Sequence, residues 1–195
     1  MVIELYAFAC GVRDLPENCG AAQLGHVAAV FGPAGGDTRD DAIRHGLVVQ
    51  ALVDMCAAVL PVRFGERFTE VTALVDAVTP RLHELEDRLA AVDGCVELAV
   101  RIARAAPVRS DGTAYMQAGL QASRAATTLH ALLQERARAA VVAQSPLLHD
   151  ACYLVARGDV DDFAHRVAAY GVEHPELDLV CTGPWAPASF AEAAA

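Results

Sequence analysis

Apolar residues recur along this chain with two alternating periods, one near two and one near three and a half, and the switches between them predict its elements. Val2 to Ala9 is an almost continuous apolar run that reads as a strand. A loop over Gly11–Gly20 follows, then a second strand from Leu24 to Phe31, closed by Gly32-Pro33-Ala34-Gly35-Gly36. Asp37-Thr38-Arg39-Asp40-Asp41 supplies N-cap candidates and first-turn acids for a helix. On that helix Ile43, Leu47, Val48, Ala51, Leu52, Met55 and Cys56 are spaced by threes and fours and are expected to face inward. Leu60-Pro61-Val62-Arg63-Phe64-Gly65 reads as extended and proline-interrupted. A second helical pattern, Thr69 to Val92, keeps Val71, Leu74, Val75, Val78, Leu82, Leu85 and Leu89 in register, with Pro80 predicting a kink or break.

Asp93-Gly94 is the expected boundary between two halves. Beyond it Val96, Leu98, Val100 and Ile102 alternate with Glu97, Ala99, Arg101 and Ala103, the pattern of a strand with one buried face. A loop over Pro107–Gly112 leads to a long helix, Thr113 to Ala139, with Met116, Leu120, Leu129 and Leu133 inward. Ala140–Gln144 and Cys152–Ala156 read as strands. Gly158-Asp159 then opens a helix with Val160, Phe163, Ala164 and Val167 on one face, and Leu177–Thr182 is the last strand. The expectation is an α+β chain of two subdomains, an N-terminal α+β domain at 1–93 and a ferredoxin-like domain (βαββαβ) at 94–190, with a disordered tail at 191–195. No internal repeat is visible.

Composition narrows the function. Net charge is −10, with 25 acidic residues against 15 basic ones, all of them arginine, and no basic stripe. Such a balance argues against nucleic acid and against anionic membrane surfaces as partners. Met1 runs straight into the first strand without a basic n-region, and the uncharged stretch Asn18–Gly36 is broken by glycines, Pro33 and His26. Neither reads as a targeting or spanning segment, so a cytoplasmic location is expected. The six cysteines form no CxxC pair and read as reduced thiols, a Cys10–Cys19 bridge being possible by spacing alone.

Candidate chemistry is sparse. The seven histidines make neither HExxH nor His-x-His, no Cys/His set has zinc spacing, and no GxSxG, Walker A or GxGxxG sequence occurs. The glycines at 32–36 precede a helix, yet Asp37, Asp40 and Asp41 would repel a phosphate there. Arg63 stands alone among apolar residues and is expected to pair with a carboxylate such as Asp54 or Glu66, with partner binding as the alternative. No catalytic residue, metal site or cofactor is expected.

Several segments coincide with one family. They are Glu4-Leu5-Tyr6-Ala7-Phe8; His45-Gly46-Leu47-Val48-Val49 with Val59-Leu60-Pro61-Val62-Arg63-Phe64-Gly65; Asp111-Gly112-Thr113-Ala114-Tyr115-Met116; Ala151-Cys152-Tyr153-Leu154-Val155 with Val160-Asp161-Asp162-Phe163; and Thr182-Gly183-Pro184-Trp185-Ala186-Pro187-Ala188-Ser189-Phe190. In this order they resemble the gas vesicle protein F/L family (GvpL/GvpF) over nearly the whole chain. The chain departs from it in the neutral Gln117–Gln121, in Leu98 where the family is often aromatic, and in Ala188 where it usually has tyrosine. The resemblance implies a cytoplasmic, gas vesicle-associated accessory protein without enzymatic activity or cofactor. It would bind the hydrophobic shell protein and other accessory proteins. Arg63, Phe64, Pro184, Trp185, Pro187 and Phe190 are the partner-contact candidates it implies, with internal packing of Trp185 as the competing role. A small-molecule-binding or sensing module on a ferredoxin-like scaffold is the alternative function.

Overall fold

β1 (Ile3–Cys10) is buried along almost its whole length, and this sets the architecture of the first half. A strand buried on both faces needs cover on both sides. Its antiparallel sheet has the order β2 (Gly20–Leu24), β3 (Val27–Pro33), β1, β4 (Ala58–Pro61), and β5 (Arg67–Phe68) pairs with the start of β1. Helix α1 (Arg39–Met55) covers one face and the pair α2 (Val71–Val78) and α3 (Leu82–Val92) the other. Glu4 and Tyr6 meet α1, whereas Leu5 and Phe8 line a cavity with α2 and α3. The register of β1 on β3 slips between Leu5 and Ala7, which lets Phe8 change sides. A computed structural model describes residues 1–105 and 112–191. Two compact units emerge, Met1–Cys95 with the segment from Trp185 onward, and Val96–Pro184. Residues 185–190 thus group with the first unit, not with the ferredoxin-like half.

Where the expected second strand stood there is a hairpin. Gly25 takes φ 61°, and Leu24 faces Val27 across the two-residue turn Gly25-His26. The start of α1 is as expected: Thr38 Oγ1 accepts from the Asp41 amide at 3.2 Å, and the Asp41 carboxylate accepts from the Thr38 amide at 3.4 Å. At its other end Arg13 donates to the Asp54 carbonyl (2.7 Å), a cation brought from the β1–β2 loop to a terminus with no basic residue of its own. The inward face of α1 differs from the expected one. His45, Val49, Leu52 and Val53 are buried, while Ile43 and Leu47 are 52% and 66% exposed. The helix is rotated because His45 finds polar partners inside, which a tally of apolar residues cannot register. At Pro80 the long helical pattern breaks into α2, a single 3₁₀ turn over Thr79–Arg81, and α3.

The second unit contains β6 (Cys95–Arg104), α4 (Gly112–Gln134), β7 (Ala139–Val142), β8 (His149–Ala156), α5 (Val160–Glu173) and β9 (Leu177–Trp185). Its antiparallel sheet runs β7-β8-β6-β9, the ferredoxin-like order. Its core joins Leu98, Val100 and Ile102 of β6 to Ala151, Tyr153 and Val155 of β8, under Leu129 and Leu133 of α4 and Phe163 and Val167 of α5. The α4 face also differs from expectation. Ala122, Ala125 and Ala126 lie inward, whereas Met116 and Leu120 are 70% and 60% exposed. Small residues bring the helix close to the sheet, and a pattern of bulky residues does not mark them. The helix stops at Gln134, short of Ala139. Glu97, expected on a solvent face, is buried too. The last helix, α6 (Ala188–Ala191), packs on β4 in the first unit. Of the loop expected over Pro107–Gly112, residues 107–111 lie outside the described residues, with Asp111 of the helix-start segment and the tail at 192–195, while Gly112 already belongs to α4.

The first sheet, β2-β3-β1-β4, is wound in the same order as the second although no sequence repeat links them. The crossover that α4 makes in the second unit is made in the first by the loop between β1 and β2.

Candidate partner-binding site

Residues from two separate segments, β1 and the stretch after β4, converge on His45 of α1. Its Nδ1 lies 2.7 Å from Oε1 of Glu4 and its Nε2 lies 3.0 Å from the Val62 carbonyl. A carbonyl only accepts, so Nε2 carries a proton and donates to Val62. The ring is packed edge-on against Tyr6 (5.1 Å between centroids) and Phe64 (5.6 Å). Glu4 is 1% exposed and His45 5%, and Oε2 of Glu4 has no hydrogen-bond partner among the described residues. This polar bridge ties β1 and α1 to the segment that follows β4. Burial, the Cys19 thiol and the Glu4 carboxylate push the Tyr6 hydroxyl up, against the opposing Arg44 guanidinium.

That bridge fixes Val62 and half-buried Phe64 while Arg63 between them points out. Arg63 is exposed and makes no ion pair or hydrogen bond among the described residues, so the pairing expected with Asp54 or Glu66 is absent. Arg13 donates to the backbone carbonyl of Asp54, and the Asp54 carboxylate makes no ion pair among the described residues. The reason is geometric: an extended residue flanked by two pinned neighbours projects its side chain to the opposite face.

The C-terminal segment meets the same strand. α6 packs on β4, and Arg88 of α3 donates to the Ala191 carbonyl at 2.8 Å. Pro61, Val62, Arg88 and Ala191 share a cavity of about 320 Å³. Within the tail, Ala186 and Pro187 are buried and Phe190 is half-buried, so these hold the segment down. Pro184 is exposed and Trp185 is 47% exposed. The Gly183–Pro184 peptide is cis. Glu4 and His45 stood in the segments that carry the family resemblance, but no local pattern marked them as a buried pair, and Arg88 looked like an ordinary helix residue.

A second polar cluster lies in the second unit. The Tyr153 hydroxyl sits 2.7 Å from Nδ1 of His130 and 3.0 Å from Nε2 of His149. One hydroxyl donates once, so two neutral imidazoles satisfy it and two imidazolium rings do not. Desolvation holds both histidines below the ordinary value of 6.5; His130 lowers His149 further and Asp150 opposes. Burial pushes Tyr153 far above the ordinary tyrosine value. Below 6.5 the unfolded chain therefore binds protons that the folded unit resists. Stability from this cluster is complete above 6.5 and is lost as acid is added through 6.5 toward the lowered folded values. Urea melts at about pH 7.5 and about pH 5.5 are expected to show the wild type weakened at the lower pH, and His130→Gln/His149→Gln much less so. Equal pH slopes in the two proteins would reject the assignment.

None of the six cysteines is in a disulfide, and Cys56 and Cys95 are buried. Among the described residues no group of three or more His, Cys, Asp and Glu could hold a metal, and no helix is long and apolar enough to cross a membrane. With this geometry established, comparison with known proteins is decisive. The family model described as gas vesicle synthesis protein GvpL/GvpF matches residues 10–114 and 108–192. The chain belongs to this family. Among curated GvpF-type relatives, gas vesicle protein F2 of Halobacterium salinarum is 28% identical over 158 residues, which is 76% of this chain. The aligned part spans 66% of that relative's length. The crystal structure of GvpF from Anabaena sp. PCC7120 superposes with a TM-score of 0.78 at 16% identity, over 100% of this chain and 97% of that one. GvpF from Microcystis aeruginosa gives 0.75 at 15% identity, over 98% and 99%. Those structures share the fold of this GvpL/GvpF member, two antiparallel sheets with helices, the second ferredoxin-like.

Proposed function

We infer that the chain is a non-catalytic accessory protein of gas vesicle assembly, cytoplasmic and vesicle-associated, that binds the hydrophobic shell protein and other accessory proteins. The observation that carries this is Arg63: an exposed guanidinium without an internal partner, held between two residues that the buried His45 bridge fixes. Arginine and tryptophan dominate interface energetics when presented rigidly. Trp185 and Pro184 add a half-exposed apolar surface on an anchored tail. Pro187 and Phe190 serve as its anchors, and Phe64 positions Arg63. A strongly apolar shell subunit needs such cover before it polymerises.

Co-expression with a shell protein and the other accessory proteins, followed by pull-down, tests the reading. The wild-type chain is expected to retain the shell protein, and Arg63→Glu with Trp185→Ala to lose about tenfold or more in retention. No retention by the wild type counts against it.

A further inference from the structure

An open groove of about 510 Å³ runs between α3 and the Gly25-His26 turn of the β2–β3 hairpin, wholly within the first unit. Its floor is apolar, made by buried Val27 and Leu89, exposed Ala90 and half-buried Cys10 at the end of β1. Its rim is acidic. Glu86, Asp87 and Asp93 line it, and no arginine does. A Cβ on Gly25 would stand 3.5 Å from Oε1 of Glu86, so this carboxylate lies against the hairpin turn. Burial raises the Cys10 thiol, a hydrogen bond with the Ala58 backbone opposes, and the Asp93 carboxylate raises it further. The charge of Asp93 is therefore felt at the floor.

No cation of the first unit answers this rim. Glu86 makes no ion pair among the described residues, and Asp87 meets the exposed His83 at 3.8 Å. Arg81 and Arg88 are engaged by Glu84 and line a different cavity. The last turn of α3 has no basic residue, although the C-terminal end of a helix favours a cation. Acids alone would be a solvated face; the apolar floor beside them is what a partner can cover. Glu86 and Asp93 stand seven residues apart along α3 and its C-cap, about 10 Å along the axis, with Ala90 between them. A helix laid along the groove has the same rise, so basic residues seven apart meet both carboxylates while aliphatic residues between them cover the floor. Nucleic acid and anionic lipid are repelled by this rim, and a second copy brings the same acids and a net charge of −10.

We propose that this groove docks an amphipathic helix of another polypeptide, with two basic residues seven apart set against Glu86 and Asp93 and aliphatic residues between them over Leu89 and Ala90. The groove shares no residue with the Arg63 and Trp185 surface, so the inference goes beyond the assembly reading.

The probe is a fluorescein-labelled synthetic peptide of about 18 residues, long enough for several turns, with an Ala/Leu face and two arginines seven apart. Titrated into the full chain and followed by anisotropy, it is expected to bind saturably, and Glu86→Arg to weaken binding about tenfold or more. Ala90→Gln, which fills the floor without changing charge, is expected to weaken it several-fold. Asp161→Arg, an equal change of net charge on exposed α5 of the other unit, is expected to leave it unchanged. Occupancy should also slow alkylation of Cys10, read by mass spectrometry against Cys181 in the same sample. Unchanged circular dichroism melts show that the variants still fold. The proposal is overturned if the peptide fails to bind the wild type, if Glu86→Arg binds as tightly, or if Asp161→Arg weakens binding as much. It is also overturned if a peptide with its arginines moved to four apart binds equally well, or if Cys10 is unprotected. Because Glu86→Arg leaves Arg63 and Trp185 intact, retention of the shell protein by this variant reports separately on the assembly role.

Discussion

Replacing His45 with alanine is expected to cost about 3–5 kcal/mol of stability, because it leaves buried polar groups without their partner and opens a cavity at the same time. The alternatives left behind are all poor. Glu4, 1% exposed, would keep a carboxylate whose Oε1 has lost its 2.7 Å contact and whose Oε2 already lacks one among the described residues. Val62 would lose its donor, and Tyr6 and Phe64 would face a cavity where the ring stood. Since domains of this kind hold only about 5–15 kcal/mol in all, the loss approaches global unfolding. Urea denaturation reads it directly, and a change under about 1 kcal/mol would sink the account. Adding Glu4→Leu to His45→Ala is expected to recover part of the loss, because no buried carboxyl group is then left without a partner. Additive effects of the two substitutions would show that the residues are not coupled.

The same bridge explains how much of this protein was legible from its sequence. Period-two and helical patterns located most strands and helices, though neither β2 nor β5 was among them, because bulky apolar residues mark any surface that must leave water. They failed where another force chose the face. On α1 the choice fell to the carboxylate and carbonyl that receive His45, and Ile43 and Leu47 were left outside. On α4 it fell to alanines that permit close approach, and Met116 and Leu120 were left outside. The Gly25-His26 hairpin was hidden inside one apolar run, since a two-residue turn interrupts no periodicity.

Candidate site residues were legible as a motif before they were legible as geometry. The segment Leu60–Gly65 stood out, yet its pairing with His45 depends on a contact across 17 residues, and its contact with Glu4 through the ring spans more. No local pattern encodes such a meeting. The two sheets make a similar point at the level of topology. Their strand orders coincide, but a loop replaces a helix in one, so the hydrophobic record of the two halves differs and no repeat is visible.

Gly183→Ala is expected to destabilise the second unit by about 2–5 kcal/mol, combining backbone strain with overpacking. Gly183 takes φ 124°, a conformation that side chains with a Cβ rarely adopt. A Cβ there would also lie 2.7 Å from the Glu97 carbonyl oxygen and 2.8 Å from Cδ2 of Leu98. The first of these belongs to the backbone of β6, the strand paired with β9, and it cannot withdraw without parting the sheet. The glycine of the Thr182-Gly183-Pro184-Trp185 segment is thus required by the neighbouring strand, independently of any partner that Trp185 meets. Trp185 is the one tryptophan of the chain and lies close behind, so its fluorescence reports the unfolding. Gly46→Ala serves as the contrast. Gly46 lies inside α1 with nothing within 4 Å of its would-be Cβ, and alanine there is expected to add about 0.4–1 kcal/mol. Melts in which Gly183→Ala is as benign as Gly46→Ala would remove the steric explanation for the marker glycine.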